Sequence, residues 1–164
     1  MYWHEHFVLA LVPLLAYIFL RYRRVPSKSA IGAVLIGSIF PDLVDKPFAH
    51  YLSILPSGRV FMHSLPVSIP FCLAVLWYGL NTDRIQLAGA FTLGVLLHPL
   101  GDFYKSILSG SIPAELFWPF LAVQSTGLPS WKTSWTALSL LPLAVLLIIS
   151  LGDILIQYRE YRMK

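Results

Sequence analysis

Asp42, Asp45, His63, His98 and Asp102 lie in or beside runs apolar enough to sit in a bilayer. Carboxylates and imidazoles are metal-ligand types, and holding them near hydrocarbon costs several kcal/mol unless a partner satisfies them. As a set they ask for a cation or for one another. In Leu96-Leu97-His98-Pro99-Leu100-Gly101-Asp102 the imidazole and the carboxylate are four residues apart, which places both on one face of a helix. Asp42 and Asp45, three apart, can share an ion in the same way, and His63, followed by Ser64, opens a further segment. Three helices therefore offer mixed nitrogen and oxygen donors, a combination that suits zinc, manganese or iron better than calcium. Carboxylates able to bridge can hold a second ion about 3.5 to 4 Å from the first. Water acidified between such ions is a nucleophile at neutral pH, so hydrolysis is the natural reaction. Cys72 is the only cysteine and falls in an apolar run, which excludes a thiolate zinc cage and an intramolecular disulfide.

The elements that must position these groups are helical. With 57% hydrophobic and only 12% charged residues, the chain lies outside the range of soluble domains and reads as an all-α, polytopic membrane bundle. Its 164 residues hold about five transmembrane helices of roughly 20 residues each in a single domain, 1–164. The first runs from Phe7 to Leu20, with Tyr2 and Trp3 completing it at the interface, and the basic run Arg21-Tyr22-Arg23-Arg24 ends it. The second starts near Ser29 and continues past a kink at Pro41 to Asp42 and Asp45. The third covers about Phe61 to Leu80 and the fourth about Ile85 to Tyr104, joined by a tight turn over Asn81 to Arg84. Residues 105–134, with their glycines, prolines and tryptophans, read as a re-entrant or interfacial stretch, and the fifth helix spans Thr136 to Ile156. The N-terminal MYWHEHF lacks the basic region of a secretory signal, so the first run should stay as a helix.

Charge sets the orientation. If five helices alternate, Arg21, Arg23, Arg24, Lys28, Arg84, Arg159, Arg162 and Lys164, eight of the twelve basic residues, share one side, which is then cytoplasmic. The N-terminus faces out and the C-terminus in. Every candidate ligand then arrives at the extracytoplasmic end: His6 before the first helix, Asp42 and Asp45 ending the second, His63 opening the third, His98 and Asp102 closing the fourth. Orientation was fixed by the basic residues alone, so this convergence independently supports one shared site. The net charge of +4 does not imply nucleic acid, because the basic residues sit at segment ends as in inner-membrane proteins.

Plainer roles compete for each residue. A lone histidine on an apolar helix is more often a packing group bonded to a neighbour, and Asp42 and Asp45 beside Pro41 would serve equally to stop a helix and pair with Lys46. Neither account covers His63. For His4 and His50 the packing role is preferred, His6 is evenly balanced, and Glu5 is no clearer. Asp153, near the inner end of the fifth helix, is a snorkelling or paired group within reach of Gln157 or Arg159. Ser64 reads as a supporting donor rather than a nucleophile, and Arg59 is either a plain loop cation or, in a turn beside His63, a phosphate clamp.

The strings Gly37-Ser38-Ile39-Phe40-Pro41-Asp42-Leu43-Val44-Asp45-Lys46-Pro47, Ser57-Gly58-Arg59, His63-Ser64 and Gly94-Val95-Leu96-Leu97-His98 with Asp102 follow in order along the chain. In order and spacing they resemble the membrane-bound metal-dependent hydrolase family, whose bacterial members include LexA-regulated inner-membrane proteins of the YdjM type. His6 matches the histidine of that family's N-terminal Gly-His pair, although Glu5 replaces the glycine, and Trp118-Pro119 resembles its late Trp-Pro. The resemblance covers about residues 1–120 and leaves the fifth helix outside. It implies a multi-pass prokaryotic inner-membrane hydrolase that uses a divalent metal. The His98-to-Asp102 stretch is also similar to the His-x-x-x-Asp motif of zinc-dependent phospholipase C and single-strand nucleases, which favours zinc and makes membrane lipids, as phospholipid or other phosphoester head groups, the expected substrate and partner class.

Two functions follow. In the first, His6, Asp42, Asp45, His63, His98 and Asp102 hold one or two ions, Asp42 or Asp45 doubles as general base, and Arg59 and Lys46 hold the substrate. In the second, the same cluster is the binding station of a metal or proton transporter. The cluster's place at one end rather than the midplane favours the enzyme.

Overall fold

Residues 2–123 are described in a computed structural model of the chain. They form α1 (Trp3–Tyr22), α2 (Lys28–His50), α3 (Leu65–Asn81), α4 (Ile85–Leu108) and a short 3-10 helix, Ala114–Phe117, with no strand among them. The connections from α1 to α2 and from α3 to α4 are short, which leaves each pair antiparallel, while loop 51–64 returns the chain from α2 to α3. Each boundary has a local cause. At the start of α1 the Glu5 carboxylate accepts the Tyr2 backbone N–H at 2.7 Å, which gives Glu5 a capping role. Arg23 closes that helix in the left-handed region at φ 52°. Ser27 caps α2, its hydroxyl accepting from the Ala30 N–H at 3.2 Å. Ser64 stands at the N-cap of α3 with Pro66 in the first turn, where its missing N–H costs nothing.

Trp3 lies inside α1, as the sequence indicated, and α2 runs through Pro41 and Pro47 to His50. The start of α3 differs: it begins at Leu65 instead of Phe61, so His63 belongs to the connecting loop 51–64. That loop is tied down by its own side chains, with Val60, Met62 and His63 buried, and a segment so anchored does not need helical bonds to be ordered. α4 is longer than anticipated and ends at Leu108; the 3-10 helix follows and packs near α3, with Trp118 edge-on to Phe61 at 6.0 Å. The expected fifth helix, 136–156, and Asp153 lie outside the described residues.

Of the described helices, α1 is long and apolar enough to cross a membrane, and α3 is apolar but has 17 residues. The expectation of five spans therefore narrows to an all-helical bundle with one helix that qualifies as a span among the described residues. α2 and α4 carry Asp42, Asp45 and Lys46, and His98, Asp102 and Lys105, in their C-terminal halves, which breaks their apolar character where the ligand-type residues gather.

Two apolar clusters build the interior. Ala10, Leu11, Leu14, Ala30, Val34 and Ala90 join α1, α2 and α4, while Met62, Cys72 and Val95 join the loop to α3 and α4, with Phe40 stacked on Phe71 at 5.2 Å. The α2–α4 pair is the closest. A Cβ on Gly37 would lie 2.1 Å from the Phe91 carbonyl oxygen, and one on Gly94 would lie 2.4 Å from that of Val34. Only glycine lets two helix backbones approach so nearly. We expect Gly94→Ala to force the helices apart and cost about 1–3 kcal/mol, read as a lowered melting temperature in detergent. Gly32→Ala, whose added methyl meets nothing within 4 Å, should leave it unchanged or raised.

Candidate metal centre

The close α2–α4 crossing sets the first imidazole. His98 is buried on α4, and its Nδ1 is hydrogen-bonded to the Ser38 backbone carbonyl of α2. A carbonyl oxygen only accepts, so Nδ1 carries the proton and Nε2 is left with its lone pair. Pro41 supplies no N–H to the carbonyl of Gly37, which thins the α2 ladder beside the residue that receives His98.

The second imidazole is set by Asp45. Its Oδ2 lies 2.8 Å from His63 Nδ1, and its Oδ1 accepts the Met62 backbone N–H at 2.8 Å. One fully buried carboxylate thus pins the 51–64 loop to α2 and fixes the His63 tautomer in the same way. Both Nε2 atoms then point to one spot, 3.0 Å apart. Lone pairs facing at that distance repel unless a proton or a cation lies between them.

Two carboxylates complete the arrangement. Asp42 Oδ1 is 3.6 Å from each Nε2, is buried and has no hydrogen-bond partner, while its Oδ2 pairs with Lys46 one turn along α2. Asp102 Oδ2 is 3.6 Å from His63 Nε2 and receives Arg59 Nε at 3.0 Å. One donor atom each from Asp42, His63, His98 and Asp102 falls within 4.8 Å of the others. Donors about 2.1 Å from a tetrahedral ion lie about 3.4 Å apart, a value the observed separations bracket. An orphaned buried carboxylate oxygen between two inward lone pairs is a fit to a divalent cation.

The remaining sequence-designated residues surround this tetrad. Asp45 stands behind His63 and does not face the centre, correcting the expectation that it shares an ion with Asp42; the 51–64 loop engages both its oxygens, through the Met62 N–H and His63 Nδ1. His6 is buried, its ring stacked on His98 at 3.8 Å and its Nε2 3.2 Å from Asp102 Oδ1. Lys46 and Arg59 hold one carboxylate each, and the Arg59 side chain is half exposed at the rim. Ser64 bonds the Phe61 carbonyl within its own turn at 2.8 Å, a local role. No signal in the sequence marks the Ser38 carbonyl or the Met62 N–H, since such backbone groups recur along the whole chain. Gly37 and Gly94, both in the quoted strings, were the only trace of the close crossing that brings Ser38 to His98.

Burial works to lower the His63 pKa, but hydrogen bonds to Asp102 and Asp45 and the charges of Asp45 and Asp42 outweigh it, so the imidazole is raised above its ordinary value. Surrounded by carboxylates, the centre seeks a positive charge and takes a proton where no cation is bound.

A helical membrane protein with a buried His–Asp centre is the class that this fold and site define. The model of the YdjM inner membrane protein family matches residues 1–162, and the chain belongs to that family. The match carries the likeness past residue 120, where the quoted strings end, into the segment expected to hold the last helix, and it places the protein in the inner membrane. No curated relative and no solved structure matches the chain.

Two outcomes are expected. A raised His63 pKa stabilises the metal-free fold below the unfolded imidazole value and loses that stabilisation as pH rises through the folded value. The metal-free melting temperature should therefore fall with pH over that window, while zinc affinity, measured by competition titration, should rise as the proton leaves. Asp45→Asn should weaken zinc binding about 10–100-fold through His63, although Asp45 supplies no donor to the tetrad.

Proposed function

We propose that the protein is a metal-dependent hydrolase of the inner membrane, acting at the extracytoplasmic end of the helical bundle on a phosphoester, with a phospholipid head group as the nearest source. The carrying observation is the tetrad of Asp42, His63, His98 and Asp102, whose donors converge without a partner for Asp42 Oδ1. Zinc best suits two imidazoles and two carboxylates, with manganese or iron as alternatives. With water taken in addition to the four protein donors, such an ion would lower its pKa toward neutrality and polarise a phosphoryl oxygen.

The chain's own residues do the rest. Asp45 and the Ser38 carbonyl keep both imidazoles in the tautomer that presents Nε2 inward. Asp42, whose Oδ1 faces the centre, is the carboxylate placed to take a proton, and Asp45 acts through His63. Arg59, half exposed beside Asp102, is set to meet an arriving phosphate, with Lys46 behind Asp42 as the second cation. Carriage of a metal across the membrane is disfavoured by the apolar side chains of Leu11, Leu14, Val34 and Ala90, which close the helix interface away from the polar cluster.

The test is metal content by elemental mass spectrometry of detergent-purified wild type beside Asp42→Ala/His98→Ala, matched by melting temperature. Wild type should retain zinc and the double variant should lose it. Turnover of phosphoester substrates in lipid vesicles should then vanish on chelation and return with zinc. Both proteins remaining metal-free after reconstitution, or a loaded protein that hydrolyses no ester, would sink the reading.

A further inference from the structure

The tetrad leaves one buried histidine unexplained. His6 is 1% exposed, and neither Nδ1 nor Nε2 has a hydrogen-bond partner. A packing histidine in an apolar bundle normally satisfies at least one nitrogen, because leaving both dry costs a few kcal/mol in hydrogen bonds forgone. Its Nε2 approaches Asp102 Oδ1 at 3.2 Å without forming an aligned hydrogen bond. Asp102 Oδ1 is the carboxylate oxygen remote from the His63 contact, which is made by Oδ2 at 3.6 Å.

The ring geometry supplies a second, independent constraint. His6 and His98 are stacked with centroids 3.8 Å apart and planes 17° from parallel. Each lone pair lies in its ring plane, and both Nε2 atoms are turned to the Asp42–Asp102 side, His98 facing Asp42 Oδ1 at 3.6 Å and His6 facing Asp102 Oδ1. Ions on two such nitrogens would lie in adjacent ring planes, near enough for one carboxylate to reach both.

We propose that Asp102 is a bridging carboxylate and that the centre holds two divalent cations. The first is bound by Asp42, His63, His98 and Asp102 Oδ2; the second is bound by His6 Nε2 and Asp102 Oδ1. This rests on the metal-dependent reading above and deepens it. The partners Asp102 already has, Arg59 among them, do not stand in the way, because each carboxylate oxygen has two lone pairs and an ion can share an oxygen with a hydrogen-bond donor. With only two protein donors the second cation is the weaker and more open of the pair. It has coordination positions left for water and for an anionic oxygen of the substrate, and it is the first to be lost on dialysis.

Manganese serves as both ligand and probe. Metal-free wild type titrated with Mn²⁺ should take up about two equivalents, the second more weakly, and its electron paramagnetic resonance spectrum should show exchange coupling between neighbouring ions. His6→Ala should hold one equivalent with an uncoupled spectrum, and His6→Phe, which keeps a ring stacked on His98 but has no nitrogen, should behave alike. His4→Ala should retain the coupled pair. A wild type that binds a single uncoupled ion overturns the two-ion centre and leaves the metal-dependent reading standing. Two coupled ions in either His6 variant also overturn it, and no binding by wild type overturns both.

Discussion

Two buried imidazoles can hold their lone pairs toward each other only when something on the far side of each ring fixes the tautomer. Here the fixing groups come from one helix: the Ser38 carbonyl holds His98 and the Asp45 carboxylate holds His63. The rest of the structure around the centre is arranged to make those two contacts. Gly37 and Gly94 bring α2 and α4 close enough for an imidazole on one to reach a backbone oxygen on the other. The 51–64 loop is drawn back over the end of α2 because Asp45 also accepts the Met62 N–H, with Val60 and Met62 buried beneath it. Two Nε2 atoms held 3.0 Å apart need a proton or a cation between them, and the packing keeps that place ready for either.

Most of the residue set was legible in the sequence because its types are costly in apolar surroundings and rare there. His98 and Asp102, four apart, reach one centre as their spacing on a helix requires. The layering was not legible. Asp42 and Asp45 differ by less than a turn, and nothing in their spacing says which will meet the ion and which will steer a histidine; that choice is made by where the 51–64 loop lands. His63 was expected to open a helix because Phe61 and Met62 extend the apolar run, whereas those side chains anchor a loop whose helix starts after the Ser64 cap. His6 was balanced between packing and ligation, since only the fold puts it against His98 and Asp102.

The bundle's polarity along its axis follows from the same arrangement. Antiparallel helices bring the start of α1, the end of α2, the loop before α3 and the end of α4 to one place, and each contributes at least one group to the polar cluster. Elsewhere the helix interfaces are closed by small and branched apolar side chains. Ionisable groups gathered at one end satisfy one another, so the apolar length of the bundle is not interrupted by unpaired charge. For a protein of the inner membrane this is the less costly way to keep three carboxylates dry.

Asp42, Asp45 and Asp102 bring three carboxylates to one buried place, with Lys46 and Arg59 among the positive charges that face them. Burial magnifies the field of those carboxylates, and the raised pKa of His63 is its sign in the metal-free state. A divalent ion in the proposed centre would take the place of the His63 proton among these carboxylates. With a half-exposed guanidinium at its rim, a centre so loaded would favour an anionic guest over a neutral one, which is the physical basis for the phosphoester proposed as substrate.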